Sequence, residues 1–294
     1  IGAAWVGMLS GFIEQYMGWR WCFYIHAGLA PVRAVIVLIF LRDTPGSMGL
    51  PPVEVYKGEE KPEELAAELK EPVVEPEEGV VYESSEPALT YWQIVWKYIL
   101  LNPYMWLISF ANLSVYVLRY AQLTWGPTFL QEAKGFSKVQ SGILYGCSEM
   151  AGLCGALAGG FVADKIFRGR AGRVCVIAMI CMVATIEIFR FSPKSSYLLS
   201  GSLYVTMGFL LYIPQMLIAA MAMNLGTKRA SAAAVGLTGI IGYASTIITG
   251  TGIGRLVDDY GWDAAVKVML ACAGITLVLM AFTWNVGAHP HAKD

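Results

Sequence analysis

The chain has 294 residues, of which 56% are hydrophobic and only 15% are charged, and its mean hydropathy is +0.54. In soluble domains about a quarter of all residues are charged, so this composition excludes an ordinary water-soluble protein. Long apolar runs between short charged loops predict an all-α, polytopic membrane protein. The net charge of −1 says little about partners, because it averages an acidic segment over a neutral membrane body. The sequence has no basic stripe interleaved with aromatic residues, which excludes a typical nucleic-acid-binding surface.

The first 42 residues predict one and a half membrane helices. Residues 1–13 are apolar but too short to cross a bilayer, and we interpret them as the end of a helix that begins upstream. The Trp-rich segment at residues 18–21 is typical of a membrane interface. A complete span is expected over residues 22–41, and Pro45 follows its end.

Residues 43–90 predict a polar linker. Of the 22 acidic residues of the chain, 13 lie between positions 43 and 86, where Pro also recurs. Low hydrophobicity with strong negative charge favours a loosely structured segment. We expect the linker to join two helical halves and to have no direct functional role.

Residues 91–287 predict a second helical half, followed by a short tail at 288–294. An amphipathic stretch at 91–101 is expected to lie along the membrane surface. Six spans are then expected at 103–131, 138–163, 172–192, 196–223, 231–257 and 264–286. The basic loop at 164–173 and Lys228-Arg229 fall on the same side as the linker, and the positive-inside rule places that side, with the C-terminus, in the cytoplasm. Glycines at 155–160 and 250–254 predict close helix contacts.

Ionisable residues inside the spans are few, and they mark the candidate site. They are Arg33, Arg119, Glu149 and, near a helix end, Glu187. A guanidinium at mid-bilayer costs roughly 2.5–3.5 kcal/mol on insertion scales, so Arg119 is expected to face the bundle interior. Helical spacing places Asn112, Tyr116, Arg119 and Gln122 on one face. Arg119 is interpreted as an anion clamp, or as the partner of Glu149 in a buried ion pair, and the two are compatible.

Two tyrosines, Tyr212 and Tyr243, are further interior candidates, although tyrosines in spans also serve packing or lie at the interface. No nucleotide-binding, metalloprotease or hydrolase motif is present. The three histidines and six cysteines form no metal-ligand spacing. The sequence therefore predicts a protein that is not an enzyme and holds no metal or cofactor.

Several motifs occur together, in order, along nearly the whole chain. They are Arg42-Asp43-Thr44-Pro45, Tyr116-Val117-Leu118-Arg119-Tyr120, Ser148-Glu149-Met150-Ala151-Gly152, Tyr212-Ile213-Pro214 and Gly261-Trp262-Asp263. In this combination the chain resembles the organophosphate:phosphate antiporters of the major facilitator superfamily, with the glycerol-3-phosphate transporter branch as the nearest in pattern. The resemblance implies the second six-helix half of that fold plus the end of the first half.

The resemblance also implies a role for each matching residue. Arg119 corresponds to an arginine that grips the substrate phosphate, and its partner arginine, on the first helix, is expected upstream of this chain. The implied substrate-binding residues are Arg119, Tyr116, Tyr212, Tyr243, Glu149, Gln122 and Asn112. Thr124 departs from the pattern, because the glycerol-phosphate branch has an acid there. Val235 and Thr238 stand where the hexose-phosphate branch has an Asp and a Lys, which argues against hexose phosphate.

The expected function is exchange of a small organic phosphate for inorganic phosphate by alternating access. We expect a monomer in the bacterial inner membrane, with the lipid bilayer and the two phosphates as its partners and no nucleic acid. One alternative is a membrane sensor of a sugar phosphate with the same fold. Another is a proton-coupled transporter in which Glu149 titrates.

Overall fold

The computed structural model describes residues 2–41, 91–194, 196–226 and 230–285, and their regular structure is entirely helical. The predicted linker, the Lys228-Arg229 pair and the predicted tail lie outside the described residues. Two compact units can be distinguished, residues 20–88 and the remainder of the chain. In the first unit the described part is most of helix α2 (Trp19–Phe40), which contains Pro31. Helix α2 begins three residues before the predicted span.

The second unit contains the other helices. They are α1 (Gly2–Met17), the short α3 (Tyr91–Ile94) with a π-helical turn (Val95–Leu100), α4 (Pro103–Glu132), α5 (Lys138–Ile166), α6 (Ala171–Phe191), α7 (Tyr197–Leu225), α8 (Ser231–Tyr260) and α9 (Trp262–Ala281). The bounds of these helices agree with the bounds of the predicted spans to within about five residues. Helix α1 is longer than the expected stub, and α9 ends earlier than expected because residues 282–285 form turns.

Local chemistry explains where the two site-bearing helices begin. The Asn102 side chain accepts a hydrogen bond from the Tyr104 backbone, and Pro103 occupies the first position of α4. Ser137 and Gln140 form a reciprocal capping box at the start of α5. Helix α4 ends at Glu132 and α5 begins at Lys138, so the loop between them is short. A short loop makes α4 and α5 antiparallel neighbours.

Six helices of the described residues are long and apolar enough to cross a membrane: α2 and α5–α9. Helix α4 is not among them, although its 30 residues would extend about 45 Å. Its polar residues, including Arg119, lower its hydropathy. This is the expected property of a helix that lines an interior site rather than facing lipid on all sides.

The core of the second unit lies between helices that pack in pairs. Helix α5 packs on α1 and α7, α6 packs on α7 and α9, and α4 packs on α8 and α9. Large apolar side chains such as Leu118, Met179 and Leu211 are fully buried there. Many others, including Phe191, Leu198 and Ile240, are exposed. An apolar exterior around a packed core is suited to a lipid environment.

Glycine contacts confirm one of the two predicted close-packing segments and correct the other. At Gly155 and Gly159 of α5, an added Cβ would collide with α7. At Gly250 and Gly252 no neighbouring atom of the described residues lies within 4 Å. These two glycines belong to an exposed π-helical turn, Ile248–Gly252, so the prediction was wrong for them and holds only for Gly254 of the same segment. Further along, Gly254 approaches the Trp125 ring.

Successive loops lie at opposite ends of the unit, as expected for helices that alternate in direction. At one end, Trp262 of α9 donates to Glu132 of α4 (3.0 Å), and Arg190 of α6 pairs with Asp263 (2.7 Å). At the other end, Arg173 of α6 donates to Asn285 after α9 (3.1 Å). The α5–α6 loop therefore lies at the same end as residues 282–285. Which end faces the cytoplasm stays a prediction.

A small, partly open apolar pocket of about 50 Å³ lies among the helices of the bundle. It lies between α4, α6, α7, α8 and α9, and its walls are mainly aromatic and aliphatic. They include Trp125, Phe129, Tyr204, Met207 and Trp262.

Candidate functional site

Arg119 of α4 forms a buried ion pair with Glu149 of α5. Its Nη1 donates to Glu149 Oε1 at 2.5 Å, and its Nη2 donates to Oε2 at 2.9 Å. The two side chains are 12% and 5% exposed. Both sequence interpretations of Arg119 therefore remain compatible, because the fork that holds the carboxylate is the geometry that suits a phosphate.

Tyr212 of α7 completes this group. Its hydroxyl accepts from Arg119 Nη2 at 2.7 Å and donates to Glu149 Oε2 at 2.7 Å. The Arg119 Cζ lies 4.7 Å from the centre of the Tyr212 ring, within the range of a cation–π contact. The guanidinium is thus held by a carboxylate, a hydroxyl and an aromatic face.

Gly152 explains how a tyrosine of α7 reaches the pair. It lies one turn after Glu149 on the same face of α5. A Cβ at Gly152 would collide with the Tyr212 ring at its Cδ2 atom. The absence of a side chain allows the ring to lie directly on α5, so that its hydroxyl reaches the Glu149 carboxylate.

Three tyrosines form an aromatic cluster beside Arg119. The ring centres of Tyr116 and Tyr243 are 5.4 Å apart, those of Tyr116 and Tyr120 are 5.8 Å apart, and those of Tyr120 and Tyr243 are 6.3 Å apart. Tyr243 of α8 is 56% exposed, so the cluster opens at its α8 side. Sequence analysis missed Tyr120, although it follows Arg119 directly and lies one turn from Tyr116.

Asn112 and Gln122, the other predicted members of the α4 face, are buried and bonded to neighbouring helices. The Asn112 side chain donates to the Thr238 carbonyl of α8 at 2.9 Å. The Gln122 side chain donates to the Ser148 hydroxyl of α5 at 2.6 Å. The structure therefore brings Arg119, Glu149 and Tyr212 together, places Tyr116 and Tyr243 beside them, and puts the two amides in contacts between helices.

The other ionisable residues singled out in the sequence lie elsewhere. Arg33 is an exposed residue of α2. Glu187 and Arg190 form a pair 3.7 Å apart at the end of α6. In the part of the chain that the structure describes, no group of three or more His, Cys, Asp or Glu residues could hold a metal ion.

Tyr145 of α5 was not singled out in the sequence, but it lies next to the site. It precedes Glu149 by one helical turn and is only 6% exposed. Its ring packs on Gly7 of α1, where a Cβ would overlap it. Its hydroxyl lies within electrostatic range of Arg119 and Glu149. Tyr145 also lines a cavity of about 460 Å³ between α1, α4 and α5.

Lys134, in the loop after α4, is a second buried cation that the sequence did not reveal. It is 4% exposed, and its Nζ donates to the Phe189 and Ser192 carbonyls, both at 2.8 Å, and to the Ser192 hydroxyl at 2.9 Å. All three N–H donors are therefore bonded at the C-terminal end of α6. Burial and the nearby charge of Lys194 lower the pKa of Lys134.

Comparison with known proteins adds an independent observation. A sequence profile of the Major Facilitator Superfamily matches residues 1–251. The chain is 31% identical over 276 residues to the "Glycerol-3-phosphate transporter" of Bacillus subtilis (strain 168), covering 94% of this chain and 58% of that protein. It is 34% identical over 286 residues to the "Probable hexose phosphate transport protein" of Chlamydia pneumoniae, covering 97% and 61%.

A third relative is named as a membrane sensor and not as a transporter. The chain is 30% identical over 280 residues to the "Membrane sensor protein UhpC" of Escherichia coli (strain K12), covering 95% of this chain and 60% of that protein. The chain thus spans about three fifths of the length of the curated relatives it matches. These relatives are consistent with the organophosphate:phosphate antiporter branch.

Proposed function

Because the chain belongs to the Major Facilitator Superfamily, we propose that it is part of a secondary transporter that exchanges a small organic phosphate for inorganic phosphate by alternating access. The observation that carries the proposal is the Arg119 guanidinium, buried inside the bundle and neutralised by a carboxylate. A phosphate oxyanion offers the same two acceptor oxygens to the same planar fork. Named relatives that transport glycerol phosphate and hexose phosphate support the substrate class.

The proposed binding step is a replacement of one anion by another. The substrate phosphate takes the place of Glu149 on Arg119, and Tyr212 keeps the guanidinium aimed through its ring and hydroxyl. Tyr116 and Tyr243 line the open side and contact the organic part of the substrate. Asn112 and Gln122 hold α4 in register through their contacts with α8 and α5.

We propose a glycerol-3-phosphate-like substrate rather than hexose phosphate. Identity alone does not separate the two classes, since the named relatives of both kinds are about equally similar. The proposal rests on Val235 and Thr238, which leave the α8 segment without the Asp and Lys expected for hexose phosphate. Thr238 is buried and its hydroxyl donates to the Val235 carbonyl at 2.9 Å. Because threonine is uncharged, this position does not provide the second cation that a Lys would place there.

The protein is proposed to act as a monomer in the bacterial inner membrane. The linker and the C-terminus would face the cytoplasm, on the side of the basic α5–α6 loop. No catalytic role is assigned to any residue.

Reconstitution of the intact protein in proteoliposomes tests the proposal. Wild-type protein should exchange internal inorganic phosphate for external glycerol 3-phosphate. Arg119→Lys should lower exchange by about 100-fold or more, because an ammonium cannot form the bidentate contact. Arg190→Lys, at an exposed ion pair, is the matched control and should retain exchange. Near-normal exchange by Arg119→Lys would count against the assignment.

One relative favours a second candidate, a membrane sensor of a sugar phosphate. That relative is named a membrane sensor and is similar over nearly the whole of this chain. The same binding site would then report occupancy to a partner. Binding of an organic phosphate by the intact protein without any exchange in the proteoliposome assay would favour the sensor.

A further inference from the structure

We infer that Tyr145 is a positioning residue, whose hydroxyl receives the Glu149 carboxylate when a substrate oxyanion takes its place on Arg119. This inference rests on the proposed function, because it concerns what happens to Glu149 as phosphate binds. It is carried by the placement of three side chains on α4 and α5, together with the contact between α5 and α1.

The first step of the argument is that Glu149 must leave Arg119 for a phosphate to be held by the same fork. Both Glu149 oxygens are bonded to Arg119, and one also accepts from Tyr212. The carboxylate is 5% exposed, so it cannot move into water without a large rearrangement of the bundle. A displaced carboxylate inside a low-dielectric bundle needs another donor, since an unpaired buried charge is strongly unfavourable.

The second step is that Tyr145 lies where such a donor is needed. Residues four apart on a helix are neighbours on one face, about 5–6 Å apart at Cβ. Helical side chains lean towards the N-terminus of their helix, so Glu149 leans towards the turn that carries Tyr145. The hydroxyl of Tyr145 lies within electrostatic range of Glu149 and Arg119.

The third step is that the Tyr145 hydroxyl is available. Within the described residues it forms no hydrogen bond, whereas the Tyr212 hydroxyl forms two and the Tyr204 hydroxyl donates to the Gln122 carbonyl. The Tyr145 ring is fixed on Gly7, while its edge borders the cavity between α1, α4 and α5. A change of the Glu149 side-chain rotamer would therefore meet a donor that no other protein acceptor of the described residues holds.

The test is a double-mutant cycle on the intact, detergent-solubilised protein, with the dissociation constant for inorganic phosphate measured by calorimetry. Tyr145→Phe keeps the ring on Gly7 and removes only the hydroxyl. It should raise the Kd about tenfold, because a hydrogen bond to a charged group is lost in the bound state. In a Glu149→Gln background the displaced group carries no charge, so the same change should alter the Kd by less than about twofold.

A matched control is Tyr197→Phe, since this half-exposed ring packs on Phe136 far from the site, and its Kd should equal that of the wild type. An unchanged Kd in Tyr145→Phe would overturn the inference. An equal rise in both backgrounds would also overturn it, because the hydroxyl would then act independently of Glu149. If the wild type binds neither inorganic phosphate nor glycerol 3-phosphate, the proposed function itself fails.

A second measurement needs no change at Tyr145. Phosphate added to the wild type and to Tyr212→Phe, which lacks the other hydroxyl bonded to Glu149, should in both cases shift the carboxylate stretching band of Glu149 and a tyrosine C–O band together in the infrared difference spectrum. Glu149→Gln should abolish both shifts. A carboxylate shift without any tyrosine signal would contradict the inference even if Tyr145→Phe did not fold.

Discussion

Among the residues that the structure describes, Arg119 and Lys134 are two buried cations that are held in different ways. Arg119, inside the bundle, is neutralised by the Glu149 carboxylate, which belongs to a side chain that can rotate. Lys134, at one end of the bundle, is held by two backbone carbonyls and a serine hydroxyl, and these acceptors are fixed by the end of helix α6. The negative end of the helix dipole adds to that hold.

The difference separates an exchangeable site from a structural one. Anions can compete for Arg119 because its present partner is itself a movable anion with the same oxygen geometry. No soluble anion can take the place of the Phe189 and Ser192 carbonyls, since they cannot leave Lys134 without unwinding the end of α6. We therefore expect ligands to change the stability conferred by Arg119 and to leave that of Lys134 unchanged.

The largest expected effect comes from breaking the exchangeable pair. Glu149→Gln leaves the Arg119 charge without its counter-ion, and loss of one partner of a buried pair should destabilise the ligand-free protein by about 3 kcal/mol. Saturating inorganic phosphate should restore much of this loss, because it supplies the missing negative charge and binds only the folded state. Thermal unfolding of the intact protein with and without phosphate measures both effects.

Chloride at the same ionic strength is the control for this experiment, because it screens charge but does not offer a tetrahedral set of oxygens. Equal recovery in chloride and in phosphate would mean that Arg119 does not discriminate a phosphate, and the distinction between the two cations would lose its basis.

The next effect in size is expected at the structural site. Lys134→Met removes three hydrogen bonds and takes from the Ser192 carbonyl the donor that the structure shows, whereas the Phe189 carbonyl still accepts from Ser192. This should lower stability by roughly 1–3 kcal/mol. Phosphate should not restore this loss, and the Kd for phosphate should stay at its wild-type value. Unfolding curves and calorimetry on the same sample test this. A phosphate-dependent recovery would show that the two sites are coupled.

The smallest effect is expected for a cation at the same end of the bundle that is accessible to water. Arg190 pairs with Asp263 at 2.7 Å and with Glu187 at 3.7 Å, all with partly exposed side chains. Exposed ion pairs contribute little because water and salt screen them. Arg190→Gln should therefore leave the unfolding temperature unchanged within error. A loss as large as that of Lys134→Met would mean that burial does not separate these sites.

The helices and the central ion pair could be predicted from sequence. Apolar runs of about twenty residues define spans with little ambiguity, and ionisable residues inside them are so rare that Arg119 and Glu149 stand out as partners. The aromatic and amide neighbours of Arg119 on α4 follow from helical spacing alone. Features that depend on the spacing of residues within one helix could therefore be predicted from the sequence.

The remaining features depend on how different helices meet. The bridge from Tyr212 to Glu149 requires the register of α7 against Gly152, which no local pattern gives. The burial of Lys134 requires the loop after α4 to lie on the last carbonyls of α6, so its sequence position suggested only a surface charge. The glycines at 250 and 252 resemble those of α5 in spacing, yet a π-helical turn directs them away from other helices.

The apolar pocket beside Trp125 and Tyr204 has a volumetric consequence. Its roughly 50 Å³ leaves the lining side chains with fewer dispersion contacts than a filled core would give them. Compression acts against poorly packed space, since a state in which side chains fill it occupies less volume. Hydrostatic pressure would therefore favour any arrangement of the helices in which an aromatic ring fills this gap, and the molecule carries there a built-in sensitivity to compression.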